Sequence, residues 1–339
     1  MSTPLDPESK RLLARMPGLV DSANAHQLVT VLSTAGSAPR AVGARMLCRQ
    51  GQLIAGTIGG GHLEERALED AEALAQSIES GLFRGQVRRY PLGPELAQCC
   101  GGVVELLYEA IDEAVAQTKA ADLAAALACG GELRTEFDDG VLVETPQPEP
   151  TVVICGAGHV SAALAAVLSV LPWRVIVADH RRAWADRDRF PAHHEIFCCE
   201  PLRLFAAWGW LGPQAAKSQL AAKVPEPPPS VPLGSHTAAV VMTHDHDIDR
   251  DLADALLRLS ERAGVDPLRY VGVIGSKTKI ATLRQRLRGR GVGEDDLGRL
   301  TAPIGLRVDG KLIGSKLPGQ IAVSVAAQLI EVMADGGEG

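Results

Sequence analysis

The spacing of apolar positions changes from segment to segment along this chain, and each spacing predicts an element. Val152 to Cys155 is an unbroken apolar run closed by Gly156, the pattern of a parallel strand buried on both faces. A glycine turn, a helix beginning near His159 and a second apolar run from Arg174 to Asp179 complete a βαβ unit. Glu195 to Cys198, Thr237 to Thr243 and Tyr270 to Ile274 read as further strands, and Ile280, Leu283 and Leu287 mark the inward face of a helix after the last of them. Pro318 can open a closing helix through IAVSVAAQLIEVMA. Between these, LFAAWGWL reads as a helix, and PEPPPSVP from Pro225 to Pro232 as an extended connector.

Ahead of that unit strands and helices mix. Lys10 to Met16 reads as a short amphipathic helix stopped by Pro17 and Gly18. Leu28 to Thr34, Met46 to Cys48, Leu53 to Ile58, Gln86 to Leu92 and Val103 to Tyr108 read as strands. Leu63, Ala67, Leu68, Ala71, Leu74 and Ala75 recur at helical spacing, with Glu64, Glu65, Glu69 and Asp70 on the other face. Asp112 to Cys129 is an alanine-rich helix, and Glu132 to Glu144 a hairpin turning at Asp138, Asp139 and Gly140. TPQPEP, Thr145 to Pro150, reads as a linker. The expected fold is therefore α/β: an N-terminal mixed α/β domain over 1–145, then a Rossmann-like parallel-sheet domain over 151–339.

Composition narrows the function. Across 339 residues 46% are apolar and 22% charged. No run of about 18 apolar residues is long enough to span a bilayer. The first ten residues carry no secretory pattern, so a cytoplasmic location away from membranes is expected. A formal charge of -7 argues against general affinity for nucleic acid. Seven cysteines, four of them in the adjacent pairs Cys99-Cys100 and Cys198-Cys199, do not make a disulfide framework. The absence of any CxxC argues against structural zinc of the usual spacing.

Three glycine turns stand where helices begin, and each is a candidate anion cradle. In the first, Gly156 allows a tight reversal and Gly158 lets a phosphate approach the backbone ahead of His159; Ser161 occupies the place of a third glycine. Asp179 lies 21 residues past Gly158, where an acidic group can hold a ribose hydroxyl, and Arg181 and Arg182 beside it can equally take a phosphate. The second turn is Gly59, Gly60 and Gly61, for which a tight strand-to-helix turn is the plainer account. The third is Gly275, Ser276 and Lys277. His244, Asp245, His246 and Asp249 follow a buried strand at its carboxyl end, to line a pocket, cap the next helix or hold a metal. Cys99 and Cys100 precede Gly101-Gly102, and a thiol at a glycine turn is either an accessible soft ligand or a small hydrophobe.

Taken together, GSAPRAVGARM, TIGGGHLEERAL, QCCGG, GAGHV with Asp179, RFP at Arg189 to Pro191, THDHDID, YVGVIGSKTK, APIGL and IAVSVAAQL resemble the xanthine dehydrogenase accessory proteins, the XdhC/CoxI family. The resemblance covers about residues 28–110 and 151–333 in family order. It implies a carrier or chaperone rather than an enzyme. Such a protein binds molybdenum cofactor (molybdopterin), supports its sulfuration by a cysteine desulfurase and delivers it to apo-xanthine dehydrogenase; a homodimer is the expected assembly. Under that reading the phosphate lies at Gly158 or at Gly59 to Gly61, Arg181 or Lys277 adds charge, and Cys100 or Cys99 faces the metal, with Cys100 preferred. Two other readings stand beside it: an NAD(P)-dependent oxidoreductase, with His244 or His246 as acid–base group, and a nucleotidyltransferase acting on the cofactor, which needs Mg²⁺ held by carboxylates.

Overall fold

In the computed structural model, which describes residues 2–78, 85–93, 101–138, 140–211, 231, 234, 236–259, 267–314 and 316–334, the chain divides into two compact units, Met1–Pro148 and Glu149–Gly339. The first contains β1 (Thr3–Pro4), α1 (Pro7–Arg15), β2 (His26–Ala35), β3 (Arg45–Arg49), β4 (Gln52–Gly56), α2 (Gly61–Ile78), β5 (Gln86–Pro91), β6 (Val103–Ile111), α3 (Glu113–Cys129), β7 (Leu133–Phe137) and β8 (Gly140–Thr145).

Successive side chains of a strand face opposite ways, and that alternation builds this unit. Strands β2 to β6 form an antiparallel sheet of order β4-β3-β2-β6-β5. Val29 and Val31, Met46 and Cys48, and Val104, Leu106 and Tyr108 share one core with Leu63, Ala67, Ala71 and Leu74 of α2. Leu28 and Leu47, one residue out of step, join the other core with Leu12 and Leu13 of α1 and Ala116 and Leu123 of α3. Asp6 and Asp112 cap α1 and α3, and Gly130 ends α3 in the left-handed conformation. A second sheet, β1-β8-β7, is tied to the first by a buried ion pair between Arg45 of β3 and Glu144 of β8, whose side chains are 1% and 0% exposed. Arg40 pairs with Asp6 at 2.9 Å and Glu8 at 2.8 Å, so both arginines flanking the GSAPR loop serve internal contacts.

The second unit contains β9 (Thr151–Cys155), α4 (His159–Leu168), β10 (Arg174–Ala178), β11 (Glu195–Phe197), α5 (Pro201–Ala207), β12 (Thr237–Val241), α6 (His246–Leu257), β13 (Tyr270–Val273), α7 (Lys277–Gly289), α8 (Glu294–Arg299), β14 (Leu300–Thr301), the hairpin β15 (Arg307–Val308) and β16 (Lys311–Leu312), and α9 (Pro318–Ala334). Six parallel strands lie in the order β11-β10-β9-β12-β13-β14, the doubly wound arrangement of a Rossmann domain. Val152 and Ile154, Val175 and Val177, and Ala238 and Val240 face α4 and α9, which contribute Leu164, Leu168, Val325 and Leu329. Their neighbours Val153, Ile176, Ala239 and Val241 face Leu204 of α5, Leu252 and Leu256 of α6, and Leu283 and Leu287 of α7. Each of the valine, leucine and isoleucine side chains among them contributes roughly 1.5–3 kcal/mol by burial. The order of strand addition switches between β9 and β12, running outward to β11 on one side and to β14 on the other, which opens a crevice at their carboxyl ends. Among the described residues no helix is long and apolar enough to cross a membrane.

Two-residue strands escaped the sequence pattern. Leu300 and Thr301 form the sixth strand of the parallel sheet, yet two residues carry no period, and β1 and the β15–β16 hairpin went unread for the same reason. Most of the proline connector, together with Cys99, Cys100 and Asp139, lies outside the described residues.

Candidate functional site

The crevice is floored by the turn Gly156, Ala157, Gly158, and the two glycines are there for different reasons. Gly156 has φ +103, and a Cβ on it would lie 2.5 Å from the Met242 carbonyl oxygen at the end of β12. It is demanded by the close approach of two strand ends. Gly158 has φ -68 and ψ -175, which any residue adopts, and a Cβ there would meet nothing within 4 Å. Among the described residues nothing requires glycine at 158, and the space beyond it is open. Gly158 is also the N-cap of α4 and offers no side-chain cap, so the first N–H groups of that helix keep their capacity for an external acceptor.

Asp179 does not stand free to hold a ribose hydroxyl. Its carboxylate is 3% exposed and takes four hydrogen bonds. Oδ2 accepts from the Ala157 N–H at 2.8 Å and Arg181 Nη2 at 2.6 Å. Oδ1 accepts from the Arg181 N–H and Nε, both at 2.9 Å. Two acceptor sites on each oxygen are thereby used. Burial pushes its pKa up, but the hydrogen bonds from Arg181 and the Ala157 N–H outweigh that and hold the carboxyl below its usual range. The residue fixes the glycine turn rather than reaching past it.

Arginine and aromatic side chains close around the same turn. Arg189 donates to the Ala157 carbonyl at 2.9 Å and the Trp184 carbonyl at 2.5 Å. The guanidinium groups of Arg181 and Arg189 both stack on the Trp184 ring, at 4.9 and 4.8 Å from its centroid, and the exposed His159 ring meets it edge-on at 5.1 Å. Arg182 is exposed and has no partner among the described residues. Across the crevice the rings of His180 and His244 are 5.7 Å apart, and the exposed Cys198 thiol lies 3.8 Å from the His180 carbonyl. Trp184, His180 and Cys198 were missed because nothing in their local pattern separates them from ordinary loop residues.

The Gly59 to Gly61 turn holds an anion already. Oε1 of Glu64 accepts from the Ile58 N–H at 2.9 Å, the Gly59 N–H at 3.2 Å and the Thr57 hydroxyl. Burial alone would raise its pKa, yet the Thr57 hydroxyl and the N–H groups of Gly60, Ile58 and Gly59 lower it. A phosphate would have to displace this carboxylate, so the second cradle is a structural turn. Glu64 lies in the first turn of α2 and reaches back to N–H groups ahead of the helix, where a carboxylate is favoured.

The remaining candidates are divided between capping and cleft. Asp245 caps α6 by accepting from the N–H groups of Asp247 and Ile248 at 2.7 and 3.2 Å, and those bonds lower its pKa. Asp249, fully buried, accepts from the Thr243 N–H and hydroxyl at 3.1 and 2.6 Å and from Lys279 Nζ at 2.7 Å. Ser276 caps α7 through the Lys279 N–H, and a Cβ at Gly275 would press on Lys279 Cδ at 2.8 Å, so that glycine serves helix packing. Lys277 is exposed and without a partner among the described residues. Among those residues no group of three or more His, Cys, Asp and Glu side chains could hold a metal ion. Cys48 is buried, which pushes its thiol up to about 12, and Cys199 is likewise pushed up to about 11 by burial and then by Cys198.

A doubly wound parallel sheet with an open, uncapped glycine turn at its switch point defines a Rossmann-type ligand-binding domain. Residues 152–329 match the XdhC Rossmann domain, residues 19–90 match the XdhC and CoxI family, and the chain belongs to that family. It is 26% identical over 305 residues to the uncharacterized protein YqeB of Escherichia coli, covering 90% of this chain but 43% of YqeB. It is 22% identical to a probable xanthine dehydrogenase component of Bacillus subtilis, over 93% of this chain and 96% of that protein. A crystal structure from Bacillus halodurans, described as a xanthine dehydrogenase, superposes with a TM-score of 0.68 over all of this chain and 97% of its own, at 21% identity, and shares its fold.

Proposed function

We propose that this protein is an accessory factor of xanthine dehydrogenase that binds molybdenum cofactor, supports its sulfuration and hands it to the apoenzyme. The carrying observation is the open space over Gly158 at the uncapped start of α4, which suits the terminal phosphate of molybdopterin. The exposed Arg182 can add charge there, while Arg181 holds its place through Asp179. When bound, the cofactor supplies molybdenum held by a dithiolene. The chain's own thiols are the soft partners on offer: Cys100 on the sequence argument, and the exposed Cys198 at the carboxyl edge of the sheet. Apo-xanthine dehydrogenase and a cysteine desulfurase are the partners this role requires. Support comes from membership of the XdhC and CoxI family and from relatives described as xanthine dehydrogenase components.

An NAD(P) oxidoreductase is less well served, because the acidic residue that would hold the ribose is saturated by Arg181 and Ala157. The test is retention. Purified protein mixed with cofactor released from a molybdoenzyme is passed through a sizing column, and molybdenum is measured in the protein peak. About one molybdenum per chain is expected; a protein peak free of molybdenum, with all of it in the small-molecule volume, refutes the proposal.

A further inference from the structure

On the face of the parallel sheet that carries α6 and α7, the start of α6 as far as Arg250 and α7 as far as Arg286 border a cleft of about 330 Å³. Its polar rim includes His246, Ser276, Thr278, Lys279, Thr282 and Arg286, and Leu283 is the apolar residue lining it. Three cations line it, Arg250, Lys279 and Arg286, together with the carboxylate of Asp249, and Arg250 is already paired with Asp247 and, at 3.1 Å, with Asp251. The Asp249 carboxylate is already taken by Lys279 and Thr243, so it does not repel an incoming anion at full strength. Among the described residues Arg286 pairs with Asp247 alone, at 3.4 Å, with the two side chains 52% and 68% exposed, a pair too screened to keep it from a better partner. The Thr282 hydroxyl donates to the Thr278 carbonyl at 3.2 Å and Lys279 to Asp249, while the weakly held Arg286 guanidinium and the hydroxyls of Ser276 and Thr278 keep donor capacity for the three oxygens of a phosphate.

We infer that this cleft binds a small phosphorylated organic molecule, at a site separate from the glycine turn. The volume lies at the lower end of the range of roughly 300–1,000 Å³ for small-molecule sites, which fits a phosphorylated sugar or a mononucleotide and not a dinucleotide. The phosphate meets Arg286 and the hydroxyls of α7, and the organic part lies against Leu283. The inference does not rest on the proposed function, and the two fail separately.

The experiment is titration calorimetry of the full chain with ribose 5-phosphate and with AMP, using inorganic phosphate and ribose as controls. Saturable binding of at least one phosphate ester is expected, tighter than inorganic phosphate, with ribose silent. Arg286→Gln should weaken it about tenfold by removing one charge-assisted contact. Thr282→Phe, which fills the cleft from an exposed position, should abolish it, with circular dichroism melts showing both variants folded. Gly158→Val should leave it unchanged, and Arg286→Gln should leave molybdenum retention unchanged. Absence of saturable binding for both esters overturns the inference. So does binding that survives Thr282→Phe, or binding that is lost in Gly158→Val.

Discussion

Replacing Asp179 by asparagine tests whether this carboxylate is a strut of the glycine turn or a ligand group. Four donors converge on its two oxygens at 2.6 to 2.9 Å. An asparagine amide can keep one oxygen facing two of them, but its NH₂ must then face the other two, donor against donor. Losing two hydrogen bonds with a buried acidic partner and leaving Arg181 partly uncompensated should cost about 3 kcal/mol. In a unit of this size each kcal/mol moves the midpoint by roughly 2–4 °C, so scanning calorimetry should show the second unit melting about 6–12 °C earlier. The pH dependence has a definite sign. Because the folded pKa is lowered, the stabilisation is present above the unfolded value of about 4 and is lost as pH falls through the folded one. The parent should therefore lose stability below about pH 4 more steeply than Asp179→Asn. A variant with an unchanged midpoint and an unchanged acid limb refutes the strut, and returns Asp179 to the role of a free acceptor.

Gly158→Val should keep the parent melting midpoint, since among the described residues nothing beyond its own chain neighbours and helix backbone lies within 4 Å of the added Cβ, while molybdenum retention falls at least severalfold. Gly156→Ala is the contrasting case: at φ +103 and 2.5 Å from the Met242 oxygen it should cost about 3 kcal/mol or more, read by urea unfolding. Glu64→Gln keeps the acceptor but loses the charge, and should lower the stability of the first unit by about 1 kcal/mol while leaving molybdenum retention alone. Cys100→Ser should keep the thermal midpoint and bind less molybdenum, whereas Cys48→Ser, inside a buried strand, should lower the midpoint and retain binding in the folded fraction.

Much of the fold was legible because its signals are periodic. The apolar runs of β9, β10, β12 and β13 and the helical stripe of α2 each repeat often enough to be read from one chain. The site was legible only as a set of possibilities. Three glycine turns look alike in sequence, but Gly156, Gly158 and Gly275 differ in what surrounds the missing Cβ, which depends on residues as distant as Met242. Asp179 had the right spacing for a ribose, yet a competing cation two residues later claimed it, a contest decided by side-chain geometry. Arg189 reaches Ala157 across 32 residues, and no local pattern announces such a contact. At Glu64 the information was present, since a carboxylate in the first turn of a helix is the natural occupant of the N–H groups before it.

A turn held from beneath by Asp179 and from the side by Arg189 has its shape fixed during folding, before any ligand arrives. An anion docking there orders no loop, so encounter should be governed by diffusion and by the field of the surrounding arginines, and should slow as salt is added. The same rigidity affects departure. A seat that does not open cannot eject its occupant by relaxing. Under the proposed carrier role, transfer would proceed by a competing set of contacts offered to the exposed side of the cargo, with the timing of release set by the receiving protein.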